Sequence, residues 1–329
     1  MDFSSFFFLS TQIDSSRGII RSDMAESPYL IINPKAGSQL KRRRIPHLIK
    51  FLKAVYPSLQ VRETQKPGDG SQLGQEAVRS GSDLIICAGG DGTYHEVING
   101  IAGSPVSLAV LPMGTGNSLV RELGLSTNPF KVSKALQTGR PHRIYLGQLE
   151  PPATPDSKQA ARRYFVLMAG AGFDAYVVWQ VGTGAKKIFG KLAYLIAGIT
   201  SLFTYPYPPI TFEIGEKRLT GTTGIMAKAR TYAGPFTIAP VADLEKPTLV
   251  LCLFKGRGPL AYIKYALAVM MGMHTRLKDV EMHIAEEVTV TSSNPVPVQA
   301  DGEPLGRLPV RISIAKEGLL LLYPHPPPK

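Results

Sequence analysis

Five residues, Gly89, Gly90, Asp91, Gly92 and Thr93, follow directly on the apolar run Leu84, Ile85, Ile86, Cys87, Ala88. Glycines carry no Cβ, so backbone amides there can approach an anion closely, and a helix opening at such a turn adds free N–H groups and the positive end of its dipole. The junction reads as a phosphate site. Asp91 adds a carboxylate suited to Mg²⁺, and Glu96 stands one turn into the following helix, which is expected from near Thr93. The competing reading is a tight strand-to-helix turn that Asp91 caps.

Two further glycine loops carry polar side chains. Asn33, Pro34, Lys35 and Gly37 form a turn in which Asn33 can bond a nucleotide or the adjacent backbone, with Lys35 supplying charge. Gly114 and Gly116 flank Thr115, and Asn117 stands where it would cap a helix from Ser118 to Leu123. Far along the chain, Gln299, Ala300, Asp301, Gly302, Glu303 end a β-rich run. An Asp-Gly pair reads first as a hairpin turn. Beside a phosphate site, a carboxylate there could instead accept the proton of an alcohol.

Other patterns exclude familiar chemistries. From Gly184 to Leu192 five residues separate the glycines, and Leu192 stands where a phosphate loop needs Ser or Thr. Gly114, Gly116 and Leu119 lack the third glycine of a dinucleotide fingerprint. The six histidines show no metal-ligand spacing, since His95 and Glu96 have no second histidine one turn on. Cys87 and Cys252 each lie in an apolar run, which fits buried thiols rather than a disulfide or metal framework.

The elements that would position these residues follow from periodicity. Tyr29 to Ile32, Leu59 to Glu63, Leu84 to Ala88 and Ser107 to Leu111 read as strands. Between them, Arg44 to Val55, Ser71 to Ser80 and a stretch carrying Val97, Ile98 and Ile101 read as helices. Alternating strands and helices imply a doubly wound parallel sheet, with ligands beyond the carboxyl ends of its strands. All three glycine loops fall on that edge.

The second half changes texture. Ile144 to Leu149, Tyr164 to Met168, Ile210 to Ile214, Leu249 to Phe254, Val288 to Thr291, Val296 to Ala300 and Val310 to Ile314 are short β-rich runs, so an antiparallel β-sandwich is expected. Glu150 to Arg163 reads as a polar hairpin loop. Ile188 to Phe203 and Leu260 to Met273 read as apolar helices, packed on the sandwich or edging a lipid pocket, and too short or too interrupted to span a membrane. The end from Pro324 to Lys329 reads as frayed.

At 329 residues, with 44% hydrophobic and 19% charged residues, the chain suits two folded domains. A net charge of +12 favours an anionic partner, and without an aromatic stacking pattern that partner is not a nucleic acid. Residues 1–26 read as a disordered leader, with Met24 an alternative start. The expected division is 27–143 for the nucleotide domain, 144–307 for the sandwich and 308–329 for a returning segment.

Together these motifs resemble the diacylglycerol kinase catalytic domain family, in particular its bacterial lipid kinases, which are related to sphingosine kinases and NAD kinases. The resemblance is carried by NPKAG at 33–37, GGDGTYHEVINGI at 89–101, LPMGTGNSLVRELGL at 111–125, GAGFDAYV at 170–177, KKIFGKLAYLIAG at 186–198 and QADGEPLG at 299–306. It implies an ATP-dependent kinase of a lipid hydroxyl, first diacylglycerol, alternatively a long-chain base, with Mg²⁺ as cofactor. By the same resemblance Asn33, Thr64, Gly89, Gly90, Asp91, Gly92, Thr93, Glu96 and Thr115 would contact ATP. Glu303 would be the proton acceptor, supported by Asp301, with Asp91 serving the catalytic metal.

His95 replaces the asparagine usual after the glycine loop. Lys246 stands where relatives place an acid for an accessory structural Mg²⁺, which implies that this second metal is lost. A cytoplasmic protein is expected, peripheral on the inner face of the membrane, and Lys186, Lys187 and Lys191 around the first apolar helix suit an anionic surface. A homodimer is compatible with this. A non-catalytic nucleotide or lipid binder is the rival class, which the retention of Asp91, Asp301 and Glu303 argues against.

Overall fold

The computed structural model describes residues 26–150, 162–189, 191–232 and 234–324. The expected hairpin loop at 150–163, the leader and the frayed end therefore lie almost wholly outside the described residues.

In the first half β1 (Tyr29–Ile32), α1 (Gln39–Arg43), α2 (Ile45–Val55), β2 (Gln60–Glu63), α3 (Asp69–Arg79), β3 (Leu84–Gly89), α4 (Asp91–Ile101), β4 (Ser107–Pro112), α5 (Ser118–Glu122) and α6 (Pro129–Leu136) follow in order. Strands β2, β1, β3 and β4 lie side by side and parallel. Every residue of β3 is buried, as expected of a strand covered on both faces. Alternation along the strands divides the packing. Ile31, Ile85 and Val110 meet Val97, Ile98 and Ile101 of α4, while Leu30, Ile86 and Leu111 meet Leu48 and Leu52 of α2.

The second half holds β5 (Arg140–Glu150), β6 (Arg163–Phe165), β7 (Met168–Gly172), α7 (Phe173–Phe189), α8 (Lys191–Thr204), β8 (Ile210–Ile214), β9 (Lys217–Gly221), β10 (Thr223–Ala227), β11 (Thr231–Tyr232) and β12 (Phe236–Thr237). After them come β13 (Leu249–Phe254), α9 (Pro259–Met270), β14 (Val280–Ala285), β15 (Glu287–Thr291), β16 (Pro297–Ala300), β17 (Glu303–Arg307) and β18 (Val310–Tyr323). Six of these strands form an antiparallel sheet in the order β14-β13-β10-β7-β16-β17. Its Met226, Leu251 and Val298 pack on Phe212, Val290 and Ile312 of a facing sheet, which makes a sandwich.

That facing sheet continues into the parallel one. Ten strands form a single sheet whose main path is β2-β1-β3-β4-β18-β15-β8-β9. The 14-residue β18 is long enough to serve both halves, pairing antiparallel with β15 at Val310 to Ser313 and parallel with β4 at Leu320 and Leu321.

Three elements depart from the periodicity. The run Tyr164 to Met168 is two strands, β6 on β5 and β7 in the other sheet, because the chain turns at Val166 and Leu167 and an aspartate takes their amides. The apolar stretch Ile188 to Phe203 is the end of α7 followed by α8. Helix α7 starts at Phe173, directly after Gly172 at φ 107°. Helix α4 opens at Asp91 rather than near Thr93, which puts the aspartate in its first turn.

Candidate active site

Because β1, β3 and β4 are parallel neighbours, the loops after them meet. A Cβ on Gly37, whose φ is 72°, would stand 1.9 Å from the Met113 carbonyl oxygen, and one on Gly114 would stand 2.6 Å from the Gly90 Cα. Glycine is required by this backbone-to-backbone approach. Lys41 ties the first loop to the third, its Nζ donating to the carbonyls of Pro112 at 3.2 Å and Gly114 at 3.1 Å. Burial holds its amine below the usual range. No local pattern marked Lys41, since its partners are main-chain oxygens distant in sequence.

Asn33 bridges the first two loops. Its Nδ2 donates to Thr93 Oγ1 at 3.1 Å, and its Oδ1 accepts from the Lys35 amide at 3.0 Å. Thr64 is buried at the end of β2, its amide donating to the Ile32 carbonyl at 2.9 Å. Tyr94 fixes the spacing of β3 and β4, its hydroxyl reaching the Gly89 and Leu111 carbonyls at 2.9 and 2.8 Å. Glu96 accepts the Gly68 and Gly70 amides, both at 2.9 Å, and so closes the start of α3.

Asp91 faces the third loop. Its Oδ1 accepts the Leu119 amide at 3.3 Å, and a Cβ on Gly116 would stand 2.7 Å from its Oδ2. Thr115 is exposed at the loop tip. Asn117 is not the expected side-chain cap: it is left-handed at φ 52°, and its Nδ2 turns back to the Gly114 carbonyl at 2.8 Å. Its Oδ1 is buried without a partner.

Among the described residues no cluster of three His, Cys, Asp or Glu could hold a metal unaided. A nucleotide-borne Mg²⁺ needs only one or two carboxylates, since phosphates and water complete its shell. Asp91 against Gly116, with the unpartnered Asn117 oxygen on the same loop, suits that need.

The acidic turn comes from the other layer. Asp301 and Gly302 are left-handed, at φ 48° and 81°, which swings the chain from β16 into β17. Asp301 accepts three amides, Leu167 at 2.9 Å and Met168 at 3.0 Å on Oδ1, and Val166 at 2.8 Å on Oδ2. It is thereby an anchor for the turn. Behind it, the Gly302 amide donates to Gln299 Oε1 at 2.8 Å, and Gln299 Nε2 donates to Asp174 Oδ2 at 2.7 Å. The Tyr232 hydroxyl donates to the other Asp174 oxygen. Burial pushes the Asp174 carboxyl up, while these two donors oppose the rise.

Glu303, half-buried, then stands over the opening of α4, its Oε1 3.4 Å from where a Gly92 Cβ would lie. Glu122 locks the layers from the far side of the third loop. Its oxygens accept the Arg230 amide at 3.1 Å and the Thr231 amide at 2.9 Å. Asp174, Gln299, Tyr232 and Glu122 lacked any local signal of these roles.

Three backbone loops at the edge of a parallel sheet, facing a carboxylate delivered by a sandwich, define a two-layered kinase. A family model described as the diacylglycerol kinase catalytic domain matches residues 27–149. One described as the YegS C-terminal NAD kinase beta sandwich-like domain matches 168–323. Curated diacylglycerol kinases of Staphylococcus saprophyticus and Staphylococcus carnosus are 28% and 27% identical, each over 92% of this chain and over 97% and 96% of theirs.

The crystal structure of a diacylglycerol kinase from Bacillus anthracis superposes with a TM-score of 0.68 at 21% identity, covering 91% of this chain and 97% of that one. Yeast NADH kinase complexed with NADH gives 0.52 at 11%, covering 92% and 84%, so the fold extends to NAD kinases. The chain thus carries a diacylglycerol kinase catalytic domain followed by a YegS C-terminal NAD kinase beta sandwich-like domain, and it is a lipid kinase.

Proposed function

We propose that the protein transfers the γ-phosphoryl group of ATP to the free hydroxyl of diacylglycerol, giving phosphatidic acid and ADP. The observation that carries this reading is the placement of Glu303 against Gly92, a carboxylate from one layer over an anion-binding helix start of the other. Amides of Gly89 to Thr93, with Asn33 and Thr115, hold the phosphates, and Thr64 and Glu96 support the surrounding backbone. Bound at Asp91, Mg²⁺ would supply positive charge to the phosphates.

Glu303 accepts the hydroxyl proton as the lipid oxygen bonds to the γ-phosphorus, and the bond to the ADP oxygen breaks with its electron pair leaving on ADP. Asp301 keeps Glu303 in place and takes no proton. The acceptor belongs to a membrane, so the protein works peripherally on its cytoplasmic face. Among the described residues no helix is long and apolar enough to cross it.

Thin-layer separation after incubation with labelled ATP tests this. Labelled phosphatidic acid is expected from diacylglycerol, with weaker transfer to a long-chain base. No labelled product from any lipid alcohol would overturn the proposal.

A further inference from the structure

Helix α9 (Pro259–Met270) is apolar on two opposite faces. Tyr262, Tyr265 and Ala268 are buried, and the Tyr262 ring lies 4.6 Å from that of Phe173 and 4.8 Å from that of Tyr207, centroid to centroid. The other stripe, Leu260, Ile263, Leu267 and Met270, recurs at three- and four-residue spacing and faces outward. Leu260 is 83% exposed, Leu267 53% and Met270 60%. An open groove of about 610 Å³ runs beside it, its apolar lining supplied chiefly by Leu260, Ile263, Leu267 and Met271, with Lys264 and Arg276 also on its walls. Helices apolar all round are ordinarily buried, and an apolar surface of this extent marks a docking site.

Charge at the rim says what docks. Arg257, Arg276 and Lys278 are exposed, and none of them forms an ion pair among the described residues. The acids nearby are already matched: Asp279 by Lys264 at 2.6 Å, Glu281 by Lys255 and His283. An apolar stripe rimmed by unneutralised cations complements a surface that is apolar inside and anionic outside. A second copy of this chain would set the cationic rim against its own likeness.

We infer that α9 seats the protein on an anionic lipid bilayer. Leu260, Leu267 and Met270 enter the boundary between headgroups and acyl chains, and Arg257, Arg276 and Lys278 meet lipid phosphates. This rests on the proposed function, in which the acceptor lies in a bilayer, and names the surface that meets it. The seat belongs to the same packed unit as the acidic turn. Tyr262 touches Phe173, whose neighbour Asp174 is bonded through Gln299 to Gly302.

Flotation with vesicles of phosphatidylcholine, with and without phosphatidylglycerol, tests the inference on the whole chain without ATP. Wild type is expected to float with the anionic vesicles and to detach as salt rises. The double variant L267E/M270E is expected to bind them at least about tenfold more weakly. Its turnover of a short-chain diacylglycerol dispersed as monomers is expected to stay within about twofold of wild type. Since both positions are exposed, it should fold. R276E/K278E provides the second arm, losing only the anionic component of binding.

Flotation of L267E/M270E equal to wild type would overturn the inference. So would a wild-type dimer in vesicle-free solution that this variant converts to monomer, because the face would then join copies. Failure of wild type to phosphorylate the monomeric diacylglycerol would remove the proposed reaction while leaving the flotation result to stand by itself.

Discussion

His95 on α4 reaches across to Asp301 on the acidic turn, Nδ1 to Oδ2, at 3.3 Å, with both side chains nearly buried. Four residues on, one turn along α4, Asn99 makes a paired bond with the Tyr164 backbone, its Oδ1 accepting the amide at 2.9 Å and its Nδ2 donating to the carbonyl at 3.0 Å. The helix that opens at the phosphate loop is thus fastened to the turn that carries Glu303. The separation of the proposed nucleotide site from Glu303, the proposed base, is set by this fastening.

Substituting His95→Ala should lower kcat more than it changes the KM for ATP. Asp301 keeps its three amide donors, so the loss should be modest, roughly three- to tenfold in kcat from misplacement of Glu303. His95→Asn, which restores a short polar side chain, should recover most of it. Steady-state kinetics with ATP varied checks the split; an equal change in both constants would point to damage in the nucleotide loops instead.

Glu303→Gln should reduce kcat by about 10²- to 10⁴-fold, the range expected for loss of a general base. ATP affinity should change little, because the amide keeps the shape of the side chain. Calorimetric titration of nucleotide alongside the transfer assay separates the two effects. Turnover near wild type would assign the base elsewhere.

Gly114→Ala forces a methyl group to 2.6 Å from the Gly90 Cα, main chain against main chain. No rotamer relieves such a contact, so the second and third loops must part. We expect roughly 1–3 kcal/mol of destabilisation, typical of overpacking, together with a raised KM for ATP. Thermal unfolding with and without nucleotide reads both quantities.

Lys228 is wholly buried, and its Nζ donates to the carbonyls of Asp243 at 2.9 Å, Thr248 at 3.2 Å and Lys246. In the segment where loss of an accessory metal is expected from Lys246, the cation closing the loop is this ammonium, while the Lys246 side chain is exposed. Lys228→Met leaves three carbonyls without that donor and should cost about 3 kcal/mol or more, read as a lowered urea midpoint. Burial pushes the amine down to about 8, with Asp243 opposing.

Below that pH the folded and unfolded chains both hold the proton, so this group adds no slope. Above it, up to the ordinary lysine range, the unfolded chain binds more protons and the contribution to stability rises with pH. Stability curves against pH should show this alkaline rise in wild type and lack it in Lys228→Met.

Much of the molecule was legible from local rules. Strand β1 and the buried core of β3 were marked by unbroken apolar runs between turn residues, and α2 by its three- and four-residue spacing. The meeting of the glycine loops followed from alternation of strands and helices. Two features that periodicity did not show, the break within Tyr164 to Met168 and the start of α7 at Phe173, share a cause. Each is decided by a remote partner, Asp301 taking the amides at Val166 and Leu167, and Thr223 receiving the Phe173 amide at 2.9 Å.

By itself the sequence determined where the glycine turns and their polar side chains stand and on which edge of a parallel sheet those loops lie, because glycine placement and periodicity act within a few residues. Only the tertiary structure decided what those side chains do to one another. Asp301 became an anchor, Glu303 was set over Gly92, Glu96 was committed to α3, and Lys228 took a carbonyl site that Lys246 leaves empty of its own side chain. Such hydrogen bonds join groups up to 206 residues apart, as in the pair of His95 and Asp301. They form because folding brings distant segments together, and where the groups are buried it leaves them protein partners in place of water.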